Sequence, residues 1–183
     1  QFQLEHILLP LGDYTKTEIR QIADDAGLGV SQKPDSQEIC FIDTNYRDFL
    51  EKKAADSIKA GQFIDKHGNI LGHHQGIPFY TIGQRRGLGI SGGKPLYVVD
   101  IDANNNNVVL GDEEDLFAKE FVAHKLNWIA IEGLYKKKRV NAKIRYNFHD
   151  KPAEIPPIDD GRVKVVFDTP QKAITPGQAV VFY

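Results

Sequence analysis

The only cysteine in this chain, Cys40, sits in Lys33-Pro34-Asp35-Ser36-Gln37-Glu38-Ile39-Cys40-Phe41-Ile42. A lone thiol is either a small buried hydrophobe or a nucleophile. The apolar neighbours Ile39, Phe41 and Ile42 suit the first role. The second needs a thiolate, favoured by nearby cations, a helix N-terminus or a base. Asp35 and Glu38 act the other way and would raise the thiol pKa, with Arg47 the nearest offsetting charge in sequence. The local residues leave both readings open.

The second chemical feature is basic. Lys136-Lys137-Lys138-Arg139 is followed by Lys143, Arg145 and Tyr146. Alternation through Val140–Tyr146 would put Lys143 and Arg145 on one strand face and Ala142, Ile144 and Tyr146 on the other. Cations beside aromatics suit RNA, where phosphates are neutralised and exposed bases stack. A solvated hairpin tip is the plainer alternative. The charge distribution adds weight. Residues 1–117 carry 11 basic and 18 acidic side chains, net −7, whereas residues 118–183 carry 12 and 7, net +5. The C-terminal part is expected to meet a polyanion.

Gly87, Gly89 and Gly92 have G-x-G-x-x-G spacing. A dinucleotide fingerprint follows a strand and opens a helix. Here Gln84-Arg85-Arg86 precedes the glycines and the strand-like Leu96-Tyr-Val-Val99 follows, so a glycine-rich loop is the better reading. With Arg85 and Arg86 on its shoulder it could touch phosphate, or be a flexible hairpin with solvated arginines. His67, His73 and His74 lack the ligand spacing of a zinc site. Adjacent strand residues face opposite ways, so no metal is expected.

The elements that must position these groups divide in two. Thr15-Lys16-Thr17-Glu18 has capping-box spacing, Ile19, Ile22, Ala23 and Ala26 follow at helical intervals, and Gly27 is a C-terminal stop. A second helix is expected over 46–55. From Gly61 onward short β runs alternate with Gly, Asn and Asp turns. Strands are expected at 62–65, 69–73, 78–81, 96–102, 107–111, 121–128, 139–146, 153–158, 162–167 and 179–183. Hairpin tips are expected at 65–69 and 102–107, and a capping acidic turn at 112–115. The fold class is therefore mainly β with a short helical N-terminal part: a small central β domain, then a C-terminal β-barrel. Boundaries are placed to give domains 1–57, 58–117 and 118–183. One cysteine allows no internal disulfide and fits a reducing cytosol. No apolar run approaches 18 residues, so no membrane partner is expected. The chain has no methionine, opens Gln1-Phe2-Gln3 and stops in a strand-like run, which reads as an excised piece of a longer protein.

In order along the chain, Leu9-Pro10-Leu11-Gly12, Lys33-Pro34-Asp35-Ser36 leading to Ile39-Cys40-Phe41-Ile42, His74-Gln75-Gly76, Thr81-Ile82-Gly83-Gln84-Arg85-Arg86-Gly87-Leu88-Gly89, Lys143-Ile144-Arg145-Tyr146 and Thr175-Pro176-Gly177-Gln178-Ala179-Val180 resemble the bacterial and organellar tRNA 2-thiouridylases. The resemblance implies a tRNA-uridine 2-sulfurtransferase as the parent protein. Its N-terminal Rossmann-like ATP-pyrophosphatase domain, most of which this chain lacks, would bind ATP with Mg. Residues 1–57 would be the end of that domain. The parent would adenylate O2 of the wobble uridine of tRNA and replace it with sulfur. By motif Cys40 carries that sulfur as a persulfide, and a second cysteine outside this chain closes the cycle through a disulfide. The family's tRNA contacts fall on Arg145, Tyr146 and Gln178, with Arg85, Arg86 and Lys143 as further candidates. Implied partners are tRNA and a sulfur-donor protein, with a cytoplasmic location; the oligomeric state is left open, a monomer being favoured. The chain alone would be inactive, serving as the sulfur-carrying and tRNA-binding part. The competing reading is a non-catalytic RNA-binding β-barrel module with Cys40 as a structural residue.

Overall fold

A computed structural model describes residues 2–33, 46–53, 58–90 and 93–183. The chain divides into two compact units, 1–49 and 50–183. In the first, a 3-10 turn at Leu4–His6 leads to helix α1, Lys16–Asp25. Thr15 caps α1 as its spacing requires. Its hydroxyl accepts from the Glu18 amide at 3.4 Å, and the Glu18 carboxylate accepts from the Thr15 amide at 2.7 Å. The Thr15 hydroxyl, which also donates to that carboxylate at 2.7 Å, and then the Thr15 amide hold the Glu18 carboxyl below its usual pKa. The other end closes as a Schellman motif: Gly27 N–H donates to Asp24 C=O and Leu28 N–H to Ala23 C=O, with Gly27 at φ 67°. Among the described residues of this unit, no apolar side chain is buried. Helix α2, Tyr46–Lys53, matches the start of the second expected helix; the remainder of that expectation lies outside the described residues.

Unit 50–183 holds two sheets. The first is four-stranded, in the order β2-β1-β4-β3, from β1 (Gly61–Ile64), β2 (Ile70–His74), β3 (Tyr97–Asp102) and β4 (Asn107–Gly111). β1 pairs parallel with β4, and the other pairings are antiparallel. Both hairpin tips form where Asp and Asn cluster. Asp65 accepts from the amides of His67 and Asn69, and Asp102 from those of Asn104 and Asn105. Phe63, Val98, Val108, Leu110 and Leu88 make the core of this sheet.

The second sheet has six strands in the order β10-β6-β7-β9-β5, with β8 beside β9. They are β5 (Phe117–Ala123), β6 (Lys138–Lys143), β7 (Lys151–Ile155), β8 (Pro157–Ile158), β9 (Arg162–Lys172) and β10 (Val181–Phe182). It curls as a half-barrel, so the mainly β class with a short helical start holds. Val163, Val165 and Phe167 alternate inward along β9 and meet Ala142, Ile144, Ala153 and Ile155. Phe167 is 1% exposed.

Three expected strands are corrected. Residues 78–81 are not a strand, because Ile77–Phe79 forms a 3-10 turn. Pro78 has no N–H for a ladder, and its fixed φ suits the start of a helical turn. The strand expected at 121–128 lies at Phe117–Ala123, and the chain leaves the sheet near Lys125 at φ 55°. β9 runs five residues beyond Phe167. Pro170 is accommodated because the β5–β9 register shifts between Ala118 and Glu120.

His74 is the one buried imidazole among the described residues, at 2% exposure. Its Nδ1 accepts from the Gly76 amide at 3.1 Å, so Nε2 carries the proton and donates to Asn106 C=O at 3.1 Å. Phe63 and Tyr80 pack edge-on against the ring. Burial pushes its pKa down, the nearby His73 adds to this, and the Asn106 bond opposes it. The unfolded chain therefore binds a proton here before the folded one does. Stability is fully present above about pH 6.5, the ordinary histidine value, and falls as pH drops below it. Urea unfolding between pH 7.5 and 5 checks this: the midpoint is expected to fall with acidification, and His74→Gln to flatten that slope. A midpoint that rises on acidification contradicts the assignment. By area burial, Phe167→Ala should cost about 3–5 kcal/mol in the same assay.

Candidate nucleic-acid interface

Cys40 and its motif from Pro34 to Ile42 lie outside the described residues. The structure therefore speaks to the basic and glycine-rich candidates, all within unit 50–183.

Loop 81–89 is pinned at both ends. Thr81–Gln84 is a β-turn closed by Gln84 N–H to Thr81 C=O at 2.9 Å, with Gly83 at φ 89° in the position a type II turn reserves for glycine. Gly83 N–H then donates to Val98 C=O, and Val98 N–H to Gln84 C=O, tying the turn to β3. Gln84 Nε2 donates to Arg86 C=O at 2.9 Å. Leu88 drops into the first core. Between these anchors Arg85 and Arg86 are exposed. This is a shaped loop rather than a slack one, and no helix follows the glycines (Gly92 lies outside the described residues).

β6 ends at Lys143, and Ile144 is the last residue of that run in the core. A turn follows, with Phe148 N–H donating to Arg145 C=O at 3.2 Å. This corrects the expected alternation. Tyr146 does not join Ala142 and Ile144 on the core face but is 91% exposed, because the strand has already ended. Lys143 Nζ lies 5.7 Å from the Tyr146 ring centre. Arg145 is half-buried, with its guanidinium carbon 5.5 Å from the Phe148 ring centre. Its Nη2 donates to Ala173 C=O and, at 3.4 Å, to Thr175 Oγ1. Gln178 is exposed at the end of the turn that begins at Thr175.

The four-residue basic run behaves differently. Arg139 forms a two-pronged pair with Asp168 at 2.7 Å, and Lys137 pairs with Glu154 at 3.3 Å. The Arg139 guanidinium holds the Asp168 carboxyl below its usual pKa. Half the cluster is thus neutralised by acids distant in sequence. By contrast, Lys143, Arg85 and Arg86 form no ion pair among the described residues.

One seam escaped the sequence reading. Lys172, at the end of β9, pairs with Glu113 and lies 5.7 Å from the Tyr97 ring centre and 6.0 Å from that of Phe117. Lys172 holds the Glu113 carboxyl down, with smaller pulls from the Tyr97 hydroxyl and the Arg85 charge. Beside it, Ala173 N–H donates to Leu116 C=O at 2.7 Å. Ala173 sits at φ 54°, which its residue type gave no reason to expect.

Among the described residues, no group of three or more His, Cys, Asp or Glu is placed to hold a metal ion. No helix among them is long and apolar enough to cross a membrane. The half-barrel interior contains a cavity of about 1210 Å³ lined largely by apolar groups, including Phe121, Trp128, Val140, Ile155, Val180 and Phe182. Lys125, Lys138, Thr175 and the candidate Gln178 also line it.

Comparison with known proteins places this arrangement in a class whose three parts all match. Residues 1–44 match a tRNA methyl transferase HUP domain, 47–112 a tRNA methyl transferase PRC-barrel domain, and 118–183 an aminomethyltransferase beta-barrel domain. The chain is 56% identical over its whole length to the tRNA-specific 2-thiouridylase MnmA of Acetivibrio thermocellus. It is 57% identical to the tRNA-specific 2-thiouridylase MnmA 1 of Thermoanaerobacter sp. and 53% identical to the MnmA of Clostridioides difficile. It covers 51%, 50% and 51% of those proteins, about half their length. The chain belongs to the tRNA-specific 2-thiouridylase family.

Gly83→Ala tests the shaped loop. It forces a side chain into a positive φ, with the new Cβ 3.3 Å from that of Ala173. Thermal unfolding is expected to show a loss of about 1–2 kcal/mol. At Gly89, φ is also positive but nothing lies within 4 Å, so Gly89→Ala should cost less. Equal losses would mean that the contact with Ala173 contributes nothing.

Proposed function

We propose that this chain is the sulfur-carrying and tRNA-binding part of a tRNA-uridine 2-sulfurtransferase, with domains divided at 57/58 and 117/118. The observation that carries the RNA half is the exposed Tyr146 ring beside Lys143, on a chain 56% identical to a tRNA-specific 2-thiouridylase. An exposed aromatic offers a stacking face to an unpaired base. Cations without acidic partners neutralise phosphate and release counterions. Arg85, Arg86, Lys143, Arg145, Tyr146 and Gln178 make up the surface. The pairing of Arg139 and Lys137 with carboxylates removes them from it.

The chemical half rests on Cys40. Oxygen at C2 of uracil is a poor leaving group. ATP, bound with Mg by the parent's N-terminal domain, would convert it to an adenylate as pyrophosphate leaves. The terminal sulfur of a Cys40 persulfide then bonds to C2 as AMP departs with the former O2. A second cysteine thiolate of the parent attacks Cys40 Sγ. The electron pair of the broken S–S bond stays on the transferred sulfur, leaving 2-thiouridine and a disulfide that an external thiol reduces. A sulfur-donor protein reloads Cys40. The parent acts in the cytoplasm, where that thiol is kept reduced.

Two measurements test this reading. Cys40→Ser in the full-length protein is expected to abolish 2-thiouridine in tRNA, and unchanged thiolation removes Cys40 from the mechanism. For the RNA half, tRNA affinity is measured against salt concentration. Arg86→Ala and Lys143→Ala should each lower the log–log slope by roughly one, as expected for a lost phosphate contact. Slopes that stay at the wild-type value would place the phosphates elsewhere.

A further inference from the structure

Arg145 stands apart from the other cations of the proposed surface. Arg85, Arg86 and Lys143 offer their charges without a protein acceptor among the described residues. Arg145 is half-buried, and one end of its guanidinium is already engaged. Nη2 donates to Ala173 C=O and to Thr175 Oγ1, and the plane lies over Phe148. Thr175 Oγ1 also donates to the same Ala173 carbonyl at 3.0 Å. The two side chains thus clasp one oxygen from different strands' ends. Arg145 follows β6, whereas Thr175 follows β9.

Ala173 is where the candidate elements meet. Its amide is held by Leu116 C=O at 2.7 Å, at the end of the 3-10 turn Glu113–Leu116. Its methyl faces Gly83, in loop 81–89, where an added Cβ would stand 3.3 Å from it. Its carbonyl is held by Arg145. The turn from Thr175 to Gln178 starts two residues later and is closed only by a long bond, Gln178 N–H to Thr175 C=O at 3.4 Å. That turn includes Pro176 and Gly177 and exposes residues 176–179. A weakly closed, exposed turn depends on its base for its position. The base is the Arg145–Ala173–Thr175 clasp.

We infer that Arg145 is a positioning residue: it clamps the Ala173 carbonyl and Thr175 so that Gln178 is presented to RNA in register with Tyr146 and loop 81–89. This rests on the RNA-binding reading above and changes the role of one residue within it. A direct phosphate contact and a clamp both weaken binding when Arg145 is removed, but they differ in two observables. A phosphate contact contributes about one unit to the salt dependence, and a clamp contributes none. A clamp also couples to Gln178, so that losing both costs little more than losing one.

The test uses the full-length protein with Arg145→Met, Arg145→Lys, Gln178→Ala and the Arg145→Met/Gln178→Ala double variant. Amide hydrogen exchange without RNA is read first. Arg145→Met is expected to speed exchange across 174–178 at least tenfold while leaving β7 unchanged. Binding to tRNA should weaken about tenfold with the wild-type salt slope. The double variant should bind within about twofold of the weaker single one. Lysine should not rescue either readout, because it lacks the planar guanidinium that seats over Phe148 and so carries Nη2 to both acceptors. Unchanged exchange at 174–178, together with a salt slope lower by about one and additive losses, overturns the inference and makes Arg145 a phosphate ligand through its other N–H groups. Where Arg145→Met fails to fold, Thr175→Val removes one jaw of the clasp and is read by the same exchange, with no change overturning the inference. If the wild type itself fails to bind tRNA, the RNA reading falls with the presentation role, while the exchange result still decides whether the clasp exists.

Discussion

The backbone of a single alanine holds together what the rest of unit 50–183 depends on. Ala173 occupies a left-handed conformation that costs an L-residue roughly 1–2 kcal/mol. Bonds to Leu116 and Arg145 offset that cost. The reversal lets the chain leave β9 and turn toward Thr175–Gln178. The same residue sits against the end of the first sheet's terminal turn. Next to it, Lys172 reaches back to Glu113 and over the Tyr97 ring. The seam between the two sheets is therefore built of a backbone bond, an ion pair and cation–π contacts, and not of one shared apolar core. Each sheet keeps its own core.

That construction suits the RNA-facing surface proposed above. Strands place Lys143 and the base of loop 81–89 rigidly. Turns then carry the exposed groups Arg85, Arg86, Tyr146 and Gln178 close to a buried residue of each run. Leu88, Ile144 and Ala173 are those buried residues, and each lies within five positions of a candidate contact. Apolar anchoring supplies the precision, and the polar tips remain wet. Within the basic run 136–139, Arg139 and Lys137 are instead paired with carboxylates of the same sheet.

Much of the fold was legible because its signals are local. The Thr15–Glu18 box, the Gly27 stop, and the Asp65 and Asp102 tips are each closed within a few residues, and each formed where its chemistry required. The strand expected at 162–167 falls within β9, where Val163, Val165 and Phe167 alternate inward. What was not legible is non-local. The run at 136–139 read as the foremost basic feature, yet its partners Glu154 and Asp168 lie 17 and 29 residues away. Tyr146 was assigned to the core face because alternation assumes a strand continues, and nothing in Arg145-Tyr146-Asn147 announced the turn. Ala173 carried no signal at all, since alanine is not the residue expected at positive φ. Motifs of the thiouridylase family pointed to Arg145 as a contact; its bonds to Ala173 and Thr175 could come only from coordinates.

The most direct test of the RNA-facing role is where the nucleic acid touches the protein. A tRNA carrying a photoreactive base at the wobble position or in the anticodon stem is crosslinked to the full-length protein, and the adducts are mapped by mass spectrometry. The account predicts adducts within 81–89, 143–148 and 175–178. Adducts confined to 136–139, or absent from residues 50–183 altogether, would contradict it.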